Sequence, residues 1–341
     1  MTTRVGINGF GRIGRNVFRA ARDNAAFEIV AANDIGSPAT FAHLLQYDSI
    51  LGRYPGEVRA TEKSILVDGR ELLIFSEREP GDLDWGGLGV EVVIESSGLF
   101  TKAEQAREHI EHGHAKKVII TAPADGDDIT ICIGVNSDAY QADRHHVISN
   151  ASCTTNCLAP VAKVLHERFG IESGLMTTVH AYTGDQRLLD APHGDVRRAR
   201  AAALSLIPTS SGASEAVAKV LPALKGRFRG LALRAPVPDV SIVDFSAVTT
   251  RATTADAVND AFREAAAGDL RGILRVEEEE LVSIDFRGDQ YSSVVDAPLT
   301  VMAGDRLLKV MAWYDNEWGY SCRVADLTAL VASTLPGATA S

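Results

Sequence analysis

A thiol at the start of a helix is the first chemically promising feature of this sequence. Ser149-Asn150-Ala151-Ser152-Cys153-Thr154-Thr155-Asn156-Cys157 leads into an amphipathic stretch, Leu158 to Phe169. Ser152 is therefore a natural N-cap, and Cys153 falls in the first helical turn. Amide hydrogens in that turn have no carbonyl partner within the helix and favour a thiolate, the nucleophilic form of cysteine. Cys157, one turn further on, reads as a small buried apolar side chain, and Cys132 and Cys322 read the same way. Four cysteines without a pair of Cys-x-x-Cys clusters predict neither a disulfide framework nor a metal centre.

A second chemical pattern opens the chain. Val5-Gly6-Ile7-Asn8 ends in Gly9-Phe10-Gly11-Arg12-Ile13-Gly14, after which Val17 and Ala21 recur at helical spacing. Phe27 to Ala32 then reads as a second strand, ending at Asn33-Asp34. Strand, glycine turn, helix and strand with a terminal carboxylate are what a dinucleotide site requires. The glycines let the backbone approach a pyrophosphate at a helix N-terminus, and Asp34 accepts hydrogen bonds from a ribose diol.

The elements that must carry these groups alternate. Strands are predicted at 91–95, 117–121 and 146–149, with a helix from about Thr101 to Gly113, which gives an α/β doubly wound parallel sheet. Residues 65–74 form a hairpin around Asp68-Gly69, expected as an antiparallel insertion. In the second half, Val243, Phe245 and Ala247 alternate with polar residues, and 307–313 supplies another strand, so the sheet there is expected to be mostly antiparallel. A last helix from Glu317 to about Leu335 places Val324, Leu327, Leu330 and Val331 on one face before Pro336-Gly337. The 341 residues favour two domains, and a composition 45% hydrophobic and 23% charged is that of an ordinary globular protein. No membrane helix or signal segment is visible, so a cytoplasmic protein is expected. The net charge of −11 argues against nucleic acid and anionic membranes as partners.

Four strings together, Asn8 to Arg15, Ser149 to Pro160, Thr177 to Gln186 and Trp313-Tyr314-Asp315-Asn316-Glu317, resemble the phosphorylating glyceraldehyde-3-phosphate dehydrogenases, and the similarity covers nearly the whole chain. The resemblance implies Cys153 as nucleophile and His180 as its activating base, paired first as imidazolium and thiolate. It implies Thr183 and Arg234 at the substrate phosphate, and Ser152, Thr154, Arg198, Ser211 and Gly212 around the attacking inorganic phosphate. Arg12, Ile13, Arg78, Thr121 and Asn316 join Gly9, Gly11, Gly14 and Asp34 around the cofactor. The expected domains are a nucleotide-binding Rossmann domain, 1–152 with 317–335 returning to it, an α+β catalytic domain, 153–316, and a flexible tail, 336–341. A homotetramer is implied, with the 182–204 segment against a neighbouring subunit.

Some residues depart from the family pattern. Ser211-Gly212-Ala213-Ser214-Glu215-Ala216 stands where Thr-Gly-Ala-Ala-Lys-Ala is usual, and Ala235, Val237 and Asp239 replace the usual residues after Arg234. A divergent isozyme with altered inhibitor sensitivity is one reading of these changes. Erythrose-4-phosphate dehydrogenase is a second, and a non-catalytic nucleotide-sensing or RNA-binding protein a remote third. Asp34 faces a 2'-phosphate with like charge, so the expected cofactor is NAD, with additional use of NADP left open.

Overall fold

The computed structural model describes residues 2–336 of the chain. The expected tail lies, from residue 337 on, outside the described residues. The described residues divide into two compact units: 2–131, Asp138–Ala151 and 321–336 form the first, and Cys132–Ser137 with Ser152–Tyr320 form the second.

The first unit is built on β1 (Thr3–Asn8), α1 (Arg12–Ala20), β2 (Phe27–Asn33), α2 (Pro38–Gln46), β3 (Val58–Ala60), β4 (Ser64–Val67), β5 (Arg70–Phe75), β6 (Val92–Glu95), α3 (Ala103–Ala106), α4 (Glu108–Glu111), β7 (Lys117–Ile120), β8 (Ile129–Thr130) and β9 (Val147–Ser149). Its strands lie in the order β8-β9-β7-β6-β1-β2-β5-β4-β3, parallel from β8 to β5. β6 and β7 are buried at every position, as short apolar runs covered on both faces must be. The Asp-Gly hairpin forms, with Asp68 at φ 49° and Gly69 at φ 79°, the positive pair that a two-residue turn between twisted strands demands. Its second strand is not an insertion, however. β5 joins β2 in parallel, because Leu73 and Phe75 pack against the core cluster around Val30, Ala31 and Trp85, and only the β5/β4 and β4/β3 pairs are antiparallel. The helix expected over 101–113 is broken into the single turns α3 and α4, with Arg107 at the junction bound to Asp128 and His109 drawn into the core.

A buried polar network clamps the carboxyl ends of the central strands. Glu95 accepts from Asn8 Nδ2 at 2.6 Å, from the Ser97 amide at 2.9 Å and hydroxyl at 2.5 Å, and from His109 Nε2 at 2.9 Å. Trp85 Nε1 donates to His109 Nδ1 at 3.0 Å, which fixes the proton of that imidazole on Nε2. Asn33 Nδ2 completes the clamp by donating to Asn8 Oδ1 at 2.7 Å.

The second unit carries β10 (Ile171–Ala181), β11 (Ile207–Ser210), β12 (Phe228–Ala235), β13 (Ser241–Thr249), β14 (Leu274–Glu277), β15 (Ser293–Asp296), β16 (Val301–Ala303) and β17 (Leu307–Tyr314). They form one sheet in the order β11-β12-β10-β13-β17-β15-β14, with β16 on β17. It is mostly antiparallel, the β10/β12 and β14/β15 pairs being parallel. Helices α5 (Cys153–Phe169), α6 (Ala213–Val220) and α7 (Ala255–Ala267) accompany the sheet. The last helix, α8 (Trp318–Ser333), belongs to the first unit from Ser321 on and buries Val324, Leu327 and Val331, whereas Leu330 is only half-buried.

Glu95→Ala should lower unfolding stability by about 3–5 kcal/mol, since it strands the donors of Asn8, Ser97 and His109 in a dry core. Urea unfolding measures this, and a loss below about 1 kcal/mol would show that water or rearrangement replaces the carboxylate.

Candidate active site

Cys153 opens α5, and Ser152 caps the helix by accepting the Thr155 amide at 3.0 Å. Ala151, at φ 55°, turns the chain into this cap. The Cys153 sulfur is half-buried at the start of the helix, where its own amide and the amide and hydroxyl of Thr154 favour its anion. His180 Nε2 lies 3.4 Å from Cys153 Sγ. Parallel pairing of β10 with β12 sets His180 opposite Arg234 in register, and Arg234 Nη1 stands 2.5 Å from His180 Nδ1. The Ala181 carbonyl accepts from His180 Nδ1 at 2.7 Å and from Arg234 Nη1 at 3.1 Å. Arg234 can only donate, so its contact makes Nδ1 an acceptor, whereas the Ala181 carbonyl calls for a proton on Nδ1; the two neighbours compete for that nitrogen, while Nε2 faces the sulfur.

These neighbours decide the charges. Burial pushes the Cys153 thiol up, while the Arg234 charge and the Thr154 and Cys153 donors pull it back. Burial, then the charge of Arg234, holds His180 down to about 3, against the opposing bond to Ala181. The imidazolium expected from the sequence is therefore disfavoured in this structure. Arg234 is the cation beside the thiol, and His180 stays neutral, as a proton acceptor must be.

Tyr314, in the Trp313–Glu317 string, has a place in the site that its sequence context does not predict. Its hydroxyl bonds Thr154 Oγ1 at 2.9 Å and Thr178 Oγ1 at 2.8 Å, and its ring meets His180 edge-on at 6.0 Å. Thr154, expected at an attacking phosphate, is buried and bonds the Tyr314 hydroxyl. Of the other expected anion ligands, Arg234 keeps a buried Nε without a hydrogen-bond partner among the described residues, a donor that suits a phosphate oxygen. Arg198 is held by Thr209 Oγ1 at 2.9 Å and Asp185 Oδ2 at 2.5 Å, and its charge still reaches His180. Thr183 follows β10, its amide on Gln186 Oε1 at 3.3 Å. Ser211 and Gly212 precede α6, with nothing within 4 Å of a Cβ built on Gly212.

In the first unit, a Cβ on Gly9 would lie 2.3 Å from the Ser97 amide nitrogen and one on Gly14 2.1 Å from the Gly9 carbonyl, so both glycines serve the turn itself. Gly11, the N-cap of α1, would meet nothing within 4 Å, which leaves an open cradle at first-turn amides that no helical carbonyl can reach. Arg12 directs its guanidinium to Asp48 at 2.9 Å, so that the backbone of Arg12 and Ile13, rather than the arginine fork, borders the cradle. Asp34 Oδ2 accepts the Phe10 amide at 2.8 Å and Oδ1 the Ile35 amide at 2.6 Å, and both oxygens retain lone pairs for a diol. Thr121 sits just past β7 and donates from Oγ1 to Glu95 O at 3.2 Å, and Arg78 is exposed beyond β5. These positions are all at carboxyl ends of strands, where open parallel sheets bind ligands. Asn316, in the second unit, is buried with Oδ1 accepting from Ser241 Oγ at 2.7 Å.

A doubly wound sheet with an open glycine cradle and a thiol facing a neutral imidazole, carried on one chain, define a thiol-dependent dehydrogenase. Residues 3–103 match the family "Glyceraldehyde 3-phosphate dehydrogenase, NAD binding domain", and residues 152–316 match "Glyceraldehyde 3-phosphate dehydrogenase, C-terminal domain". The chain is 57% identical over 333 residues to the glyceraldehyde-3-phosphate dehydrogenase of Geobacillus stearothermophilus, covering 98% of this chain and 99% of that one. It is 58% identical over 337 residues to the enzyme of that name from Streptomyces coelicolor, covering 98% and 100%. To glyceraldehyde-3-phosphate dehydrogenase 1 of Bacillus subtilis it is 56% identical over 332 residues, covering 97% and 99%. The chain belongs to the glyceraldehyde-3-phosphate dehydrogenase family.

The pH dependence of Cys153 alkylation by a neutral reagent should separate the two candidate counterions. Arg234→Leu removes the cation that lowers the thiol pKa, so its midpoint should move up, and by more than that of His180→Asn. A larger shift in the His180 variant would restore the imidazolium as partner of the thiolate.

Proposed function

We infer that this chain catalyses the NAD-dependent, phosphorylating oxidation of glyceraldehyde 3-phosphate to 1,3-bisphosphoglycerate. The observation that carries the reading is the 3.4 Å approach of Cys153 Sγ to His180 Nε2, with the Arg234 guanidinium on the neighbouring strand. The family relatives bear the triose-phosphate name, and the erythrose alternative is not carried forward.

The glycine cradle and Asp34 fit NAD, which supplies a two-electron hydride acceptor when bound. Cys153, as thiolate, adds to the aldehyde carbon and forms a hemithioacetal. As that carbon loses its hydride, His180 Nε2 takes the hydroxyl proton, and the carbon becomes a thioester on Cys153. Inorganic phosphate then attacks the thioester carbonyl, and the thiolate leaves with acyl phosphate as product. Arg234, with its unpartnered Nε, and Thr183 hold the substrate phosphate, so that the aldehyde is fixed over the sulfur. Arg198, Ser211, Gly212 and the Ser152 cap serve the attacking phosphate. The exposed Glu215, bonded to Ser214 Oγ at 2.8 Å, makes the field at the start of α6 more negative.

Assembly and location extend this reading. Leu188, Leu189, Val196 and Leu204, each at least 70% exposed, give the 182–204 segment an apolar surface that a second copy of the chain would cover in a homotetramer. Among the described residues no helix is long and apolar enough to cross a membrane, and a cytoplasmic enzyme is the location we propose.

Rapid mixing of enzyme with NAD, glyceraldehyde 3-phosphate and phosphate tests the scheme. Wild type should show a burst of NADH followed by phosphate-dependent turnover, and Cys153→Ser should show neither. Arg198→Leu should keep the burst and lose turnover, whereas Arg234→Leu should lose both by about 100-fold through misplacement of the aldehyde. Equal losses of burst and turnover in the two arginine variants would mean that their sites are exchanged or shared.

A further inference from the structure

Glu95 is a buried carboxylate whose partners are all neutral. It ends β6, is 2% exposed, and meets four donors and no cation among the described residues. Such a charge is costly to hold, because buried carboxylates are ordinarily paired with a cation or bound to a metal.

The direction of each bond is settled from the two ends of the network. At one end the Glu77 amide can only donate, and it donates to Asn33 Oδ1 at 2.8 Å. Asn33 Nδ2 therefore donates to Asn8 Oδ1, which turns Asn8 Nδ2 onto Glu95 Oε2. At the other end the Trp85 indole N–H can only donate, so His109 offers its own proton from Nε2 to the same oxygen. Oε1 takes the amide and the hydroxyl of Ser97, and that hydroxyl oxygen in turn accepts the Leu99 amide at 3.1 Å. Both carboxyl oxygens are thus surrounded by protons, and neither carries one itself. A glutamine cannot replace this anion, since its amide group would aim protons either at the Ser97 amide or at Asn8 and His109, which already donate.

What the anion holds is one wall of the glycine cradle. The Ser96 amide donates to Asn8 O at 2.7 Å and the Ser96 hydroxyl to Gly9 O at 2.6 Å. A Cβ on Gly9 would strike the Ser97 amide nitrogen, so the glycine turn and the 96–99 loop lie in direct contact. β6 adjoins β1 on the side away from β2, where the strand order reverses and where open parallel sheets form their ligand crevice. Beyond Ser97, Gly98 takes φ 73° and Leu99 is 73% exposed, so the loop leaves the sheet at the point that Glu95 fixes.

We propose that Glu95 is a positioning residue for NAD: its buried negative charge pins the 96–99 loop against Gly9 and so sets the wall of the cradle that receives the cofactor. The proposal rests on the cradle being the NAD site. Glu95 lies beneath the loop and acts through Ser97.

Calorimetric titration of the cofactor-free enzyme with NAD, together with hydrogen exchange of the same protein, tests this. Glu95→Gln and Ser97→Ala should each weaken NAD by about tenfold, the loss expected for one hydrogen bond to a charged group, and should speed exchange across 96–99 before NAD is added. The double variant should bind NAD no more weakly than Glu95→Gln alone, because the two residues act as one unit. Alkylation of Cys153, in the second unit, should keep its wild-type rate in all three. Trp85→Phe is the control for general loosening: it removes the indole donor at the far end of the network, and should lower the urea midpoint while NAD affinity stays within about twofold of wild type. Should Glu95→Gln fail to fold, Ser97→Ala carries the test alone. Unchanged NAD affinity in Ser97→Ala, multiplied losses in the double variant, or equal weakening by Trp85→Phe at a matching loss of stability would overturn the proposal. Failure of wild type to bind NAD would remove the cradle reading and the positioning role with it, whereas normal wild-type binding with indifferent variants removes the role of Glu95 alone.

Discussion

A thiol that must lose its proton away from bulk water needs positive potential close by, and the second unit is arranged around that need. The start of α5 supplies amides and the Thr154 hydroxyl to Cys153, and Arg234 supplies a full charge. The same charge, with burial, keeps His180 neutral. One arginine therefore favours the anion on sulfur and leaves the base free to accept a proton. Its proximity to His180 is a matter of strand register: β10 and β12 run parallel with His180 beside Arg234, and a slip of one residue would turn the guanidinium to the opposite face of the sheet.

Buried polar groups are organised on the same principle in both units, buried carboxylates being met by several donors. In the first unit Glu95 is surrounded by Asn8, Ser97 and His109, and the network ends on Asn33, so the three strand ends bordering the glycine turn are tied together. In the second, Ser241 joins the His180 strand to Asn316 through one hydroxyl, and Asp315 accepts the amides of Gly288, Glu317 and Trp318. Networks of this kind contribute to a unique geometry more than to net stability, because desolvation offsets much of what the bonds return.

Legibility from sequence followed the range of the interactions. The parallel sheet, the glycine turn, the Asp-Gly hairpin and the capped thiol are local patterns, set by hydrophobic period, glycine conformation and the chemistry of a helix start, and the structure contains them all. The pairing of β5 with β2 and the break of the 101–113 helix were not legible. Both follow from where Leu73, Phe75 and His109 find a core to enter, and no window of the sequence contains that core.

The site divides in the same way. Sequence alone determined which groups are chemical: a thiol in a first helical turn, glycines before a helix and a carboxylate at a strand end, with the histidine and the arginines singled out by resemblance. Only the tertiary structure decided their charges and partners. His180 and Arg234 are 54 residues apart and meet because two strands align. Tyr314 reaches Thr154 across 160 residues. A protonation state depends on burial and on the nearest charges in space, and those distances come into being only when the chain folds.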